Sequence, residues 1–420
     1  MATAERLRRA AAGAVLALLA VLAAALLPGP AARAQPAAPA PIVALQPEPA
    51  PVPAPRIGVV TMGPGEVFWE RFGHDAIVVE DPATGTRTNY NFGFFDLDEP
   101  GFLGRFLRGD MRYRLVALPL AEDLDYYRQV GRGVQVQWLD LDPAQARALA
   151  AALADNARPQ NARYRYDYFR DNCSTRVRDA LDRALGGQLQ RTLIGRSSGD
   201  TWRSEALRLA EPAPWMWLAF DIGLGPRADR PLSRWELAFI PSRLAEGLRE
   251  TPRADGRPLV QSEQVLLPQR LPPEPPGAAP RIWPWLLAGL LAGAGILALG
   301  ARRPRLLAAL ALPFWFACGL LGLVLLLGWA FTDHEAMWAN RNLLLFDPLC
   351  LLLLPGGWAL LRGRPPSPRM RALLVAVTLL ALLACLPLWL QLYPQRNGHW
   401  IALLLPIHAA LARVWTRRAA

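Results

Sequence analysis

The chain has 420 residues, 52% of them hydrophobic, with 46 basic and 35 acidic side chains and a formal net charge of +11. The apolar share is high for a soluble protein and predicts a membrane-embedded part. Every basic residue is arginine, because no lysine occurs in the chain, which removes Schiff-base and Ser-Lys chemistry. Arginine clusters at Arg6–Arg9, Arg302–Arg305, Arg362–Arg371 and Arg413–Arg418 flank hydrophobic segments and account for the excess charge, so they read as topology signals, and no nucleic acid partner is expected.

In chain order, residues 1–34 carry an arginine-rich start, an apolar run and a small-residue Ala32-Arg33-Ala34, the layout of a secretory signal peptide. Residues 35–56 are a Pro/Ala-rich linker without periodicity. One domain is expected over 57–268. Within it, His74-Asp-Ala-Ile-Val-Val and Thr86-Arg-Thr-Asn-Tyr-Asn-Phe, separated by Asp81-Pro-Ala-Thr-Gly85, predict a hairpin. Leu139 to Asn156 reads as a helix with Asp142 as N-cap and Pro143 at its first position. The stretch Tyr164–Leu185 reads as strand, cap and helix, with the break at Asp171-Asn172, and it sets Cys173 on a first helical turn. Pro214–Pro241 is rich in tryptophan and turn residues and carries no clear periodicity.

A second Pro-rich linker spans 269–281, and a membrane domain is expected over 282–420. Apolar segments at 282–300, 306–330, 343–361, 372–393 and 400–415 each approach the ~20 residues that cross a bilayer. Arginine clusters fall in every second connection, which predicts five spans with 57–281 outside, on the periplasmic face of a Gram-negative inner membrane.

Cysteine and histidine usage narrows the chemistry. Cys318, Cys350 and Cys385 fall in hydrophobic segments, so Cys173 is the single thiol of the polar domain and His74 its single histidine. No zinc-ligand spacing is present, and neither a metal nor a cofactor is expected. A helix start favours thiolate over thiol, and a nucleophilic cysteine needs a base and a group that orients it. The predicted hairpin register brings Asn91 to His74, with Asn89 as fallback. The plain alternative is a structural cysteine and a histidine with no mutual contact. Gly195-Arg-Ser-Ser-Gly199 matches a serine nucleophile elbow, but only membrane-segment histidines follow it, which favours a simple loop. The polar loop 331–342, with Asp347 beyond it, reads equally as functional groups at membrane depth or as a solvated connection, and Gln395–His399 is a weaker case on the same side.

Phe72-Gly73-His74-Asp75-Ala76, Asn89–Asp96 and Asp171–Arg176 resemble the motifs of the Lnb-type N-terminal periplasmic domain, a family named for a bacterial lipoprotein N-acyltransferase. Phe331–His334 and Asn342–Pro348 resemble its membrane part. The resemblance implies an α+β, permuted papain-like (NlpC-like) cysteine domain followed by a five-helix transmembrane bundle. It further implies catalytic Cys173 and His74, Asn91 as the third member, and Asp171, Asn172, Arg176, Asp333, His334 and Asn342 as substrate-binding or membrane-side residues. The implied substrates are a membrane phospholipid and the N-terminal amine of a lipoprotein. A cell-wall amidase or peptidase using the same dyad, and a non-catalytic membrane-tethered binding domain, stand as alternatives.

Overall fold

A computed structural model describes residues 53–277, 279–386 and 395–416, so the expected signal peptide and most of the first linker lie outside the described residues. A seven-stranded antiparallel sheet of order β6-β4-β3-β2-β1-β5-β7 organises the N-terminal part. Its strands are β1 (Arg56–Met62), β2 (His74–Glu80), β3 (Arg87–Phe94), β4 (Arg112–Pro119), β5 (Val134–Leu139), β6 (Arg163–Arg165) and β7 (Val260–Leu267). The helices of this part are α1 (Phe102–Arg108), α2 (Leu120–Val130), α3 (Pro143–Asn156), α4 (Cys173–Ala184), α5 (Gln188–Leu193), α6 (Trp202–Ala210), α7 (Pro214–Gly223), α8 (Arg234–Leu237) and α9 (Pro241–Glu250).

Alternation along the central strands gives the sheet two buried faces. Ile57, Val59, Ile77, Tyr90 and Phe92 pack against Leu149 of α3, Val177 and Leu181 of α4, and Leu244 of α9. Val60, Met62, Ala76 and Val78 face the other way, onto Leu120 and Tyr127 around α2. Each such side chain removed from water contributes roughly 1.5–3 kcal/mol, which is why β1 and β2 at the sheet centre are almost wholly apolar.

The β2–β3 hairpin forms as predicted, with Ala76 opposite Asn91. The helix expected from Leu139 begins only at Pro143, because Leu139 closes β5 opposite Val260. Asp142 and Gln145 then close a capping box at the predicted cap. At α4, Asn172 Oδ1 accepts the Thr175 amide at 2.9 Å and Thr175 Oγ1 accepts the Asn172 amide at 2.8 Å, which places the helix start at Cys173. Pro214–Pro241, unassigned from the sequence, holds α7, a 3₁₀ turn and α8.

The C-terminal part is helical: α10 (Ile282–Arg302), α11 (Pro304–Phe331), α12 (Leu354–Leu361), α13 (Pro368–Leu383) and α14 (Gly398–Thr416). Three helical segments, Ile282–Arg302, Pro304–Phe331 and Arg341–Leu361, are long and apolar enough to cross a membrane. The third is broken into two 3₁₀ turns and α12, because Pro348 cannot continue a helix and Asp347 caps the Leu349 amide at 2.8 Å. The fourth predicted segment runs through α13 into residues 387–394, which lie outside the described residues. Gly293 lets α10 approach α14 closely, since a Cβ there would lie 3.2 Å from the Pro406 carbonyl oxygen.

The loops at the outer ends of these helices are bonded to the sheet domain. Asn340 Nδ2 donates to the Ile222 and Gly223 carbonyls, each at 2.8 Å, and Asn342 Nδ2 to Ile222 at 2.9 Å. Buried Asp221 accepts from His399 Nε2 at 2.6 Å and Trp400 Nε1 at 2.8 Å. These contacts absorb the polar density of 331–342 and 395–399 and fix the sheet domain over the helices.

Candidate active site

At its far end β3 runs past Asn91, its last partner on β2, and its pairing with β4 shifts between Asn91 and Phe94, where Gly93 takes φ +89°. A residue with a Cβ is strained at that φ, so glycine suits the break. The N-terminus of α4 fills the resulting notch, and a Cβ on Gly93 would lie 3.6 Å from the Cys173 Cβ. The half-buried Cys173 sulfur faces the backbone amides of Asp75, Ser174 and Cys173 itself. Cys173 thus meets β2 at the residue that follows His74.

His74 is bonded into a chain of side chains. Its Nε2 lies 3.1 Å from Asn91 Oδ1, Asn91 Nδ2 donates to Asp123 Oδ2 at 2.8 Å, and Asn89 Nδ2 donates to the same oxygen at 2.6 Å. The Asp123 carboxylate can only accept while ionised, which fixes the Asn91 amide with Oδ1 toward the ring. The Nε2 therefore carries the proton, and Nδ1 is the nitrogen able to take one. Asn91 is bonded to the ring, while Asn89 reaches Asp123 instead.

Electrostatics around the notch favour neutral groups. Burial, followed by the nearby Arg132 guanidinium, lowers the His74 pKa to about 4. Burial, followed by the Asp75 charge, pushes the Cys173 thiol up to about 12, against the opposing amides. A thiolate was expected at this helix start, yet desolvation outweighs the helix end, and the resting pair is thiol and neutral imidazole. Wholly buried Asp75 accepts from Thr61 Oγ1 at 2.8 Å and pairs with Ser174 Oγ at 2.7 Å. Ser174 Oγ also lies 2.8 Å from the Ala238 carbonyl, and one hydroxyl proton cannot serve both. A protonated Asp75 donating to Ser174 resolves the count, in keeping with a carboxyl that burial raises to about 7.

Two further residues near these groups keep a buried donor without a hydrogen-bond partner among the described residues. These donors are the Tyr164 hydroxyl, which a Cβ on Gly93 would approach at 3.8 Å, and Arg132 Nη2. Sequence reasoning missed Asp123, Asp75, Ser174, Arg132 and Tyr164. Asp75 stood inside the quoted Gly73–Ala76 motif, and Tyr164 inside the tyrosine alternation; Asp123 carried no signal beyond an acid on a first helical turn.

The remaining predicted residues divide by location. Asn172 is the α4 cap and also donates to the Tyr168 and Phe239 carbonyls, each at 2.9 Å. Asp171 is paired with Arg176, which covers the Tyr164 ring. Asp333 pairs with Arg165 at 2.9 Å, and His334 Nε2 donates to the Phe106 carbonyl at 3.0 Å while its ring stacks on Tyr168. Asn342 is wholly buried in the contact with α7. None of these bonds to Cys173 or His74 in the described contacts. The Gly195–Gly199 loop is occupied structurally: Ser197 donates to the Leu232 carbonyl at 2.6 Å and Ser198 to Asp200 at 2.6 Å.

Residues 51–206 match the family model described as the Lnb N-terminal periplasmic domain, and residues 276–419 match the Lnb transmembrane domain. The chain belongs to the Lnb family. It is accordingly a membrane protein with a periplasmic N-terminal domain, and the Lnb periplasmic match contains Cys173, His74, Asn91 and Asp123. Searches of curated proteins and of solved structures returned no match.

Proposed function

We propose that this Lnb-family protein is an inner-membrane cysteine acyltransferase of permuted papain-like type, with five membrane spans, acting in lipoprotein biosynthesis. The observation that carries it is the notch: one thiol at a helix start faces backbone amides, among them that of Asp75, the residue after a histidine held by Asn91 and Asp123.

In the first half-reaction His74 Nδ1 takes the Cys173 proton as the sulfur attacks a phospholipid ester carbonyl. The S–C bond forms, the C–O bond breaks, and the imidazolium returns the proton to the departing lysophospholipid oxygen. In the second, the N-terminal amine of a lipoprotein attacks the thioester. The C–N bond forms, the C–S bond breaks, and the amine proton returns to sulfur through His74. Amides at the α4 start and the Tyr164 hydroxyl are the groups suited to hold each oxyanion. Because the resting pair is neutral, His74 acts as a general base rather than as half of a preformed ion pair.

The surroundings support lipid substrates. Helix α1 exposes Leu103 (67%) and Leu107 (60%) on one side, one turn apart. Its last residue, Arg108, accepts the Asp333 amide at 2.7 Å, two residues beyond the end of α11. Trp69 and Trp215 are also exposed, on segments next to His74 and to the membrane loops. An apolar rim at this level suits a bilayer surface better than a polar cell-wall polymer.

Cys173→Ala should abolish N-acylation of lipoproteins in a strain that depends on this protein; persistence of N-acylated lipoprotein would refute the proposal. Release of peptides from peptidoglycan by the purified protein would favour the amidase instead.

A further inference from the structure

A second candidate site uses none of the notch residues. A cavity of about 400 Å³ is lined by Arg170, Arg178, Arg227 and Arg230, with Phe169, Trp202 and Trp235 as walls and Glu236 as the one lining carboxylate. Three of the guanidiniums lie over rings: Arg178 over Trp235 at 3.9 Å, and Arg170 over Trp202 and Arg227 over Trp338 at 5.3 Å each. A ring beneath a guanidinium holds it in place without consuming its N–H donors, which stay available to an anion.

Charge bookkeeping leaves a surplus. Arg178 pairs with Asp179 and Arg230 with Glu236. Arg170 and Arg227 share a single carboxylate oxygen, Glu335 Oε2, at 2.9 and 2.7 Å through one Nη1 each. Arg170 and Arg227, two positive groups, thus share one carboxylate. Arg170 and Arg227 keep their Nε and Nη2 donors out of these pairs, and both side chains are about half exposed. Glu335 follows Phe331, the last residue of α11, by four positions, so the shared carboxylate sits at the level where lipid headgroups begin.

We propose that this cavity binds a singly charged phosphate group, supplied by the phosphodiester of a phospholipid at the outer membrane surface, with Arg170 and Arg227 as its principal donors. Arginine forks suit phosphate oxygens, and one negative charge matches the local surplus. Glu335 is the internal competitor for the same two guanidiniums. The site stands on this geometry alone, whether or not Cys173 carries acyl groups.

The test uses the full chain in detergent with Cys173→Ala, so that turnover plays no part, and isothermal titration with short-chain phosphatidylglycerol, short-chain diacylglycerol and inorganic phosphate. Phosphatidylglycerol should bind saturably, and diacylglycerol at least tenfold more weakly. Arg170→Gln with Arg227→Gln should weaken phosphatidylglycerol about tenfold or more, the scale of one lost charge-assisted hydrogen bond. Glu335→Gln should tighten it several-fold, an outcome that loss of folding cannot imitate. Equal binding of inorganic phosphate and phosphatidylglycerol would overturn the lipid source. Unchanged affinity in both the arginine and the Glu335 variants would overturn the site.

Discussion

The notch around Cys173 and the joint around Asp221 both bury polar groups, and they use them in opposite ways. At the joint, Arg203 bonds both Asp229 oxygens, at 2.9 and 3.0 Å, and the Asp221 and Leu224 carbonyls, while Asp221 takes His399 and Trp400. Each buried charge there has an opposite charge within reach: the second Asp221 oxygen accepts no hydrogen bond but lies 3.7 Å from Arg203. At the notch, Asp75 has only hydroxyl partners, while Tyr164 and Arg132 keep donors unused. Paired charge gives rigidity, whereas unpaired donors at a buried site are available to a charge that develops during reaction.

The sharpest way to break this contrast is substitution on each side. Cys173→Ala should remove acyl transfer entirely while leaving the thermal midpoint nearly unchanged. His74→Ala should lower the rate by about 10²–10⁴-fold, the range of a general base. Asp221→Ala should do the reverse, costing about 1–3 kcal/mol of stability in denaturant titration for each of the two buried donors, His399 and Trp400, that it leaves without an acceptor. A Cys173→Ala protein that unfolds readily, or an Asp221→Ala protein as stable as its parent, would erase the distinction.

Smaller effects sharpen it. Asn91→Ala should slow transfer about 10²-fold, the cost of a misplaced base, with little change in stability. With His74 at about 4 and Cys173 at about 12, kcat/KM should rise through an acid limb near pH 4 and stay level across neutrality; a limb near 6.5 would mean an ordinary histidine. The same values predict that resting Cys173 alkylates slowly at pH 7. Asp75 binds its proton more tightly in the fold than out of it, so its own contribution to stability falls as pH rises from about 4 to about 7, against the opposite contribution of His74 from about 4 to 6.5; Asp75→Asn should remove the falling part and leave stability rising with pH over that window. Tyr164→Phe should have the smallest effect, a several-fold loss in kcat with KM unchanged.

Much of this architecture was legible in local sequence. The Asp81–Gly85 turn and flanking alternation define the hairpin, and the Asn172/Thr175 box defines the start of α4, because both are fixed by residues within a few positions of one another. The His74–Asn91 contact followed from strand register alone. Asp123 was not legible, because it reaches Asn91 only through the packing of α2 on the far face of the sheet, which no local pattern encodes. The thiol's raised pKa was missed for a related reason: the helix start can be read from the chain, but burial and the Asp75 charge arise in the assembled fold. Likewise, the polar loops after α11 and before α14 showed their density in sequence, while their partners on α7 lie more than a hundred residues away.

The central claim is that Cys173 carries the acyl chain. It is tested most directly by intact-mass measurement of the purified protein after incubation with phospholipid vesicles and no acceptor. One added acyl group, located at Cys173, released by hydroxylamine and missing from Cys173→Ala, is the predicted result. N-acylation of a lipoprotein peptide at full rate by protein that never shows the adduct, or by Cys173→Ala, would contradict it.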